Sequence, residues 1–322
     1  VLDDDGYAAC ARAAAMVGIE TVTEVHSDAE LDRALALRAP VIGVNNRDLA
    51  TLRVDLATVR RLAPRVPRDR LVLCESGIRS EADIRELGPL VDGFLVGTTL
   101  MRSPDLPHAV RTLAFGITKV CGLTRPEDAT AAWAAGATHG GLIFVEASPR
   151  AVNEATAARV RDAAPLLWVG VFVNEPPQRI AALAIRLGLA AVQLHGDETR
   201  DDVAALRPLL PHGCEVWKAA RVLDVLPNLD GTGADRVLLD RWHPSVRGGT
   251  GERFDWSLLA GLSDKGRLIL AGGLTPETVA AAGAIGVAGL DVNSGVEDRP
   301  GIKSPDRLAA FFAARRGTGR EH

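Results

Sequence analysis

The chain has 322 residues, of which 47% are hydrophobic and 24% charged, and a formal net charge of −4. This composition excludes a disordered chain, leaves ample material for one large core or two modest ones, and offers no basic surface to nucleic acid or an anionic membrane. No apolar run approaches the roughly eighteen residues of a spanning helix, and the N-terminus lacks the basic-then-apolar layout of a signal peptide, so a cytoplasmic protein is expected.

The first 115 residues carry four short β-branched runs separated by helical stretches: TVTEVH from 21, VIGVNNRD from 41, LVLCESG from 71 and GFLVGTT from 93. After a PDLP turn at 104–107, HAVRTLAFG reads as an outer helix ending at Gly116, and the next strand begins at once. Eight further runs then alternate with helical segments such as PEDATAAWAAGA and PPQRIAALAIRLG: ITKVCG from 117, HGGLIFV from 139, LWVGVFV from 167, AAVQLHG from 190, EVWKAAR from 215, RVLLD from 236, RLILAGG from 267 and GLDVNSG from 289. Alternation of this kind predicts βα units and a parallel sheet, and eight units close a (β/α)8 barrel. Runs apolar on both faces suit strands covered by helices outside and packed side chains inside.

The four early runs start 20, 30 and 22 residues apart, and the last four of the complete set 21, 31 and 22. With Gly77 set on Gly273, the same offset puts Gly93 on Gly289, Val96 on Val292 and Thr98 on Ser294 without a gap. The match predicts one complete barrel over residues 116–322, preceded over 1–115 by the C-terminal half of a second (β/α)8 barrel. Four βα units cannot close, so their inner face and edges are expected to be exposed. Together with a start at Val1 instead of Met, this gives the expectation of a fragment of a longer polypeptide.

In such barrels chemistry sits at the C-terminal strand ends. The first strand of the complete set closes on Cys121, beside Gly122. A lone Cys is more often a small core residue, but a thiol at a strand mouth could act as a base if positive potential lowered its pKa from about 8.5. Asp240 ends the sixth strand after Val237-Leu238-Leu239, a costly place for a carboxylate unless it faces a polar cavity; capping is its structural alternative. Arg150, in SPRAVN after the second strand, could clamp a carboxylate in bidentate fashion. Gly272 and Gly273 after the seventh strand, and Ser294 and Gly295 after the eighth, fit phosphate binding by backbone N–H groups and a helix N-terminus. RGGTGE at 247–252 reads either as a loop able to fold over a substrate or as a plain flexible turn. The four cysteines, Cys10, Cys74, Cys121 and Cys214, form no CxxC pair and suggest neither a disulfide framework nor a metal site.

Across residues 117–316, KVCGLTR, GGLIFVEASPR, VGVFVN, VQLHGDE, VLLD with GGTGERFDW, LAGGL and GLDVNSGVE with PGIK closely resemble phosphoribosylanthranilate isomerase, a TIM-barrel family of tryptophan biosynthesis. The resemblance implies an Amadori rearrangement with Cys121 as general base, Asp240 as general acid and Arg150 holding the anthranilate carboxylate. It implies no cofactor or metal, a phosphorylated small-molecule substrate, no nucleic-acid or membrane partner, and a monomer where the fusion is whole. A related sugar-phosphate isomerase barrel would share the phosphate loops but is expected to place a carboxylate where Cys121 stands.

TEVHSD, IGVNNRDL, ESGI and LVGTTLM resemble strands five to eight of indole-3-glycerol phosphate synthase and put Glu24, Asn45, Arg47, Glu75 and Ser76 at active-site positions. That family's catalytic lysines and an essential Glu lie on its first and third strands, which have no counterpart here. The resemblance therefore implies a synthase half without activity in this chain alone; the alternative is a non-catalytic docking unit.

Overall fold

The computed structural model describes residues 2–103, 105–241, 254–262 and 264–316. The RGGTGE stretch at 247–252 lies outside the described residues. The chain divides into two compact units, Val1–Ala114 and Phe115–Gly317. Among the described residues no helix is long and apolar enough to cross a membrane.

In the first unit, β1 (Val22–Val25), β2 (Val41–Asn45), β3 (Leu71–Glu75) and β4 (Gly93–Leu95) form an open parallel sheet in chain order. Side chains alternate across a strand, and here the two faces differ sharply. Val25, Ile42, Val44, Val72 and Cys74 are buried under the helices, whereas Val22, Leu71 and Leu95 on the sheet are about half exposed. That is the uncovered inner face expected of a half-barrel. The helices on the covered side start on side-chain caps: Ser27 accepts from Glu30 N before Asp28–Ala36, and Ser80 with Asp83 forms a capping box before Glu81–Leu87.

In the second unit, β5 (Ile117–Val120), β6 (His139–Ile143), β7 (Leu167–Phe172), β8 (Ala191–Leu194), β9 (Glu215–Val222), β10 (Arg236–Arg241), β11 (Leu268–Leu270) and β12 (Gly289–Val292) form a closed, all-parallel barrel. Each coincides with one of the eight runs read from the sequence. β12 pairs with β5 to shut the cylinder, in register Gly289↔Ile117, Leu290↔Thr118, Asp291↔Lys119 and Val292↔Val120. A Cβ on Gly289 would stand 2.7 Å from Ile117 Cβ, so the closing seam needs glycine there.

Alternation explains both why the strands look uniformly apolar and how they carry polar groups. Val237 and Leu239 point outward to the helices, while Leu238 joins Val169, Ala191, Trp217 and Ile269 inside the barrel. One step further along the inward parity, toward the C-terminal ends, come Cys121, Ile143, Val171, Asp240, Ala271 and Asp291. The barrel is thus plugged by apolar side chains in its middle and turns polar at its mouth.

Helix Pro126–Ala135 starts on Pro and ends at Gly136, and Pro177–Leu187 ends on Gly188 in the left-handed conformation. The pattern loosens after β9 and β10, where the described elements are 3-10 turns, Asp230–Thr232 and Trp256–Leu259. A short antiparallel hairpin, β13 (Glu297–Arg299) with β14 (Ile302–Lys303), follows β12 and was not foreseen from the sequence. The closing helix, Pro305–Arg316, buries Leu308, Phe311 and Phe312 completely. Phe312 meets Phe115 edge-on at 6.5 Å between ring centroids and Phe311 at 5.4 Å. Phe312→Ala should therefore cost about 3–5 kcal/mol of unfolding free energy in urea titration; a loss below about 1 kcal/mol would mean that this aromatic cluster does not anchor the closing helix.

Candidate active site

The mouth of the complete barrel holds a cavity lined from β5–β8 and β10–β12 and the loops after them. It is bordered by Cys121, Arg150, Asp240, Gly272, Gly273, Ser294 and Gly295, so seven residues singled out in the sequence come together. Each arrives by the inward parity of its strand or by the loop directly after it.

Cys121 follows β5 and is 5% exposed. One glycine makes room for it, and the glycine after Cys121 makes room for Arg150. A Cβ on Gly141 in β6 would lie 2.8 Å from Cys121 Sγ, and Gly122, at φ +68°, would place one 2.7 Å from Arg150 Cδ. Burial pushes the Cys121 thiol up, and Lys119 is the chief opposing influence, as a nearby positive charge and a hydrogen-bond partner.

Lys119 was not singled out in the sequence. It is fully buried, its Nζ donates to Asp291 Oδ2 at 2.9 Å, and the two residues are register partners across the closing seam. Burial disfavours its charge, yet the Asp291 carboxylate and Cys121 outweigh this and raise its pKa. Asp291 is itself pushed up, by burial first. Its other oxygen, Oδ1, has no hydrogen-bond partner among the described residues, and the side chain borders the cavity.

Asp240 stands at the end of β10, 9% exposed, with Oδ1 accepting from Arg241 N at 2.9 Å. Burial, seconded by repulsion from Asp291, pushes its carboxyl up to about 6. His195 Nε2 is 3.7 Å from Asp240 Oδ2, and the His195 ring is held on its other side by Gln193 at 2.9 Å. Neither His195 nor Gln193 was a sequence candidate, although Gln193 lies inside the run VQLH and His195 closes it.

Arg150 is buried, not solvated, and its fork is already occupied. Nε donates to Glu297 Oε1 at 2.9 Å and Nη2 to Glu297 Oε2 at 2.7 Å. The Nε–Nη2 side is thus taken by Glu297, and the Nη1–Nη2 end is the edge left to face a ligand. Glu297 also accepts from Lys303 Nζ at 2.8 Å and from Gly301 N at 3.1 Å. Burial alone would raise the Glu297 carboxyl, but its bonds to Arg150 and Lys303 prevail and hold it low. The hairpin β13–β14 thus locks Arg150 from behind.

Gly272 and Gly273 have φ +77° and +66°, a tight turn that an L side chain would strain. A Cβ on Gly295 would stand 1.9 Å from Leu274 O, so the loops after β11 and β12 touch only because residue 295 is glycine. The element carrying Ser294 and Gly295 is a single 3-10 turn, Ser294–Val296, where a helix N-terminus was expected. Lys303 Nζ donates to both O and Oδ1 of Asn293 and braces that turn.

In the first unit the ends of β1–β3 assemble a second set. Asn45 Nδ2 donates to Glu24 Oε1 at 3.1 Å, and burial, with Glu24 next, raises the Glu75 carboxyl. Asn45 Oδ1 accepts from Arg47 N at 2.9 Å. Ser76 and Gly77 have φ +62° and +90°, the conformations found at the aligned Gly272 and Gly273. Buried Asn46, which the sequence reading passed over, ties this turn by donating to Glu75 O and Ser76 O.

Residues 118–314 match the family model described as N-(5'phosphoribosyl)anthranilate (PRA) isomerase, and residues 1–113 match that of indole-3-glycerol phosphate synthase. The chain is 48% identical over 316 residues to the tryptophan biosynthesis protein TrpCF of Yersinia pestis, covering 98% of this chain and 66% of that protein. It is 46% identical to the protein of the same name from Salmonella typhi, covering 97% and 68%. The chain thus spans about two thirds of the length of these curated relatives. Among solved structures, phosphoribosyl anthranilate isomerase from Thermus thermophilus is 35% identical with a TM-score of 0.56, over 62% of this chain and 97% of that one. A phosphoribosyl anthranilate isomerase in complex with reduced 1-(o-carboxyphenylamino)-1-deoxyribulose 5-phosphate is 33% identical with a TM-score of 0.53, over 63% and 100%. With eight matching strands and a family model over most of its length, this chain belongs to the N-(5'-phosphoribosyl)anthranilate isomerase family, joined to a segment of the indole-3-glycerol phosphate synthase family.

Proposed function

We propose that residues 116–322 catalyse the rearrangement of N-(5-phosphoribosyl)anthranilate to the carboxyphenylamino-deoxyribulose phosphate, in the cytoplasm and as part of a bifunctional enzyme of tryptophan biosynthesis. The observation that carries this reading is the convergence of a thiol and a carboxyl of raised pKa, Cys121 and Asp240, on one buried cavity. Asp240, as general acid, gives its proton to the ribose ring oxygen as the bond from that oxygen to C1′ breaks, leaving an open-chain Schiff base. Cys121, as the thiolate, then takes the proton from C2′ to give an enolamine. Protonation at C1′ and loss of the hydroxyl proton complete an aminoketose with the atoms of the starting aminoaldose. Acid and base must begin in opposite protonation states, which is why their surroundings matter more than their identities.

The remaining guanidinium edge of Arg150 binds the anthranilate carboxylate, and the backbone N–H groups around Gly272, Gly273, Ser294 and Gly295 bind the phosphate. Residues 1–115 supply strands five to eight of a synthase barrel, with Glu24, Asn45, Glu75 and Ser76 at its site. The exposed inner face of β1–β4 supports the further reading that a polypeptide of these 322 residues alone does not form indole-3-glycerol phosphate.

In a direct isomerase assay, Cys121→Ala and Asp240→Asn should each lose about 10²–10⁴-fold in kcat, while Arg150→Ala should act mainly by raising KM. Full activity in Cys121→Ala would overturn the base assignment. Incubation of the 322-residue polypeptide with the ribulose-phosphate product should yield no indole-3-glycerol phosphate, and clear turnover would refute that part of the reading.

Asp240 also ties stability to pH. Its carboxyl rises from an ordinary 3.8 to about 6, so the folded state holds the proton more tightly than the unfolded one. The stabilisation is full below pH 3.8 and is lost as pH climbs through about 6. Asp240→Asn removes this titration. Its unfolding free energy relative to the native sequence should therefore grow by about 2–3 kcal/mol between about pH 4 and pH 8. Urea titrations at the two pH values measure it, and an unchanged difference would mean that the carboxyl is not held protonated.

A further inference from the structure

Lys119 has no part in the chemistry proposed above, yet it occupies a place where a charge is costly. It is fully buried, two residues before Cys121 and therefore on the same inward face of β5. Cys121 Sγ and Lys119 Cε both lie within 3.0 Å of where a Cβ on Gly141 would be, so the thiol and the end of the lysine stem share one niche that glycine opens. The ammonium is held from the opposite strand by Asp291, its register partner, at 2.9 Å. Replacing such a pair by apolar residues commonly leaves a fold as stable or more so. Stability therefore does not account for it.

We propose that Lys119 is a positioning residue for the acid–base pair: anchored by Asp291, its ammonium favours the Cys121 thiolate, while the Asp291 carboxylate keeps Asp240 protonated. One buried pair would thus set two protonation states in opposite directions, which is what the rearrangement requires of its acid and base. The inference rests on the functional reading above for its purpose, but not for its physics.

Among the described residues, the charged and titratable groups around Cys121 are few and come from several elements. Lys119 lies on its own strand and Asp291 on β12; Lys303 comes from the hairpin, and Arg150 packs against Gly122. Asp240 on β10 faces Asp291 and Lys119, with His195 at 3.7 Å. The neighbours from β6 and β7, Gly141, Ile143 and Val171, carry no charge. Among the described residues, Lys119 and Asp291 are the only opposite pair in this set that acts electrostatically on both reacting groups.

The test uses the full chain and no substrate. The rate of alkylation of Cys121 by iodoacetamide is followed against pH by mass spectrometry of its peptide, which separates it from Cys10, Cys74 and Cys214. Lys119→Met should move the midpoint up by a unit or more, slowing alkylation at about pH 7.5 by roughly tenfold or more. Asp291→Asn should move it down. The charge-neutral double variant, Lys119→Met with Asp291→Asn, should fall between the native midpoint and that of Lys119→Met. A role in folding alone would leave the midpoints in place or shift both single variants the same way, and either result overturns the proposal. Where a single variant fails to fold, the double variant decides: a midpoint above the native one supports the proposal, and one at or below it refutes it. The functional reading fails separately, on absence of isomerase turnover in the native chain.

Discussion

The complete barrel closes where its first and last strands meet, and at that seam a buried lysine faces a buried aspartate in register. Neither side chain can be removed alone without leaving an unpaired charge out of water, a loss of about 3–5 kcal/mol in comparable sites. The pair therefore fixes the stagger of β12 against β5, since a one-residue slip would turn one partner outward among the helices. It also fixes what stands above it. Cys121, just past the end of β5, is the next inward residue, and Asn293, two residues beyond Asp291, begins the turn that carries Ser294 and Gly295.

The same geometry clarifies what the repeated half shares with the complete barrel and what it lacks. Both units turn sharply after the seventh strand with two successive residues at positive φ, Ser76-Gly77 and Gly272-Gly273. They diverge one loop later. Gly295 lets the loop after β12 press on Leu274 O, whereas the aligned Thr99 donates a hydroxyl hydrogen bond to Ile78 O instead. A backbone contact in one unit is replaced by a side-chain bond in the other, at the same place in the fold. The inner faces differ more. In the complete barrel, residues of that face plug the centre; in the first unit, Val22, Leu71 and Leu95 are left about half exposed.

The strand order, the closure and the seven mouth residues were legible because a parallel strand announces itself as a short apolar run and because barrel chemistry is confined to strand ends. Lys119 and Asp291 were passed over because each sits inside an apolar run, ITKV and GLDV, and looks like an interruption. The signal was present all the same. Once Cys121 is assigned to the mouth, the period of two puts residue 119 inside the barrel, where a lysine demands a partner. Glu297 is different in kind. It reaches Arg150 across 147 residues of sequence through a hairpin that no periodicity marks, and only the folded chain brings the two together.

The charges described at the mouth make a small sum with a chemical consequence. Lys119, Arg150 and Lys303 are cationic, and Asp291, Glu297 and Asp240 supply three carboxyl groups, so the set is neutral when Asp240 is ionised and one charge positive when it is protonated. A substrate carrying a carboxylate near Arg150 is therefore best matched by the protonated form. On the proposed reading, binding of the anthranilate carboxylate and retention of the Asp240 proton favour each other, as linkage requires. On the same reading the phosphate binds elsewhere, on the glycine-built loops after β11 and β12, against backbone N–H groups instead of this buried set. On that reading, separating the two anionic ends leaves the acid–base balance between the ring oxygen and C2′ under the control of the single buried ion pair Lys119–Asp291.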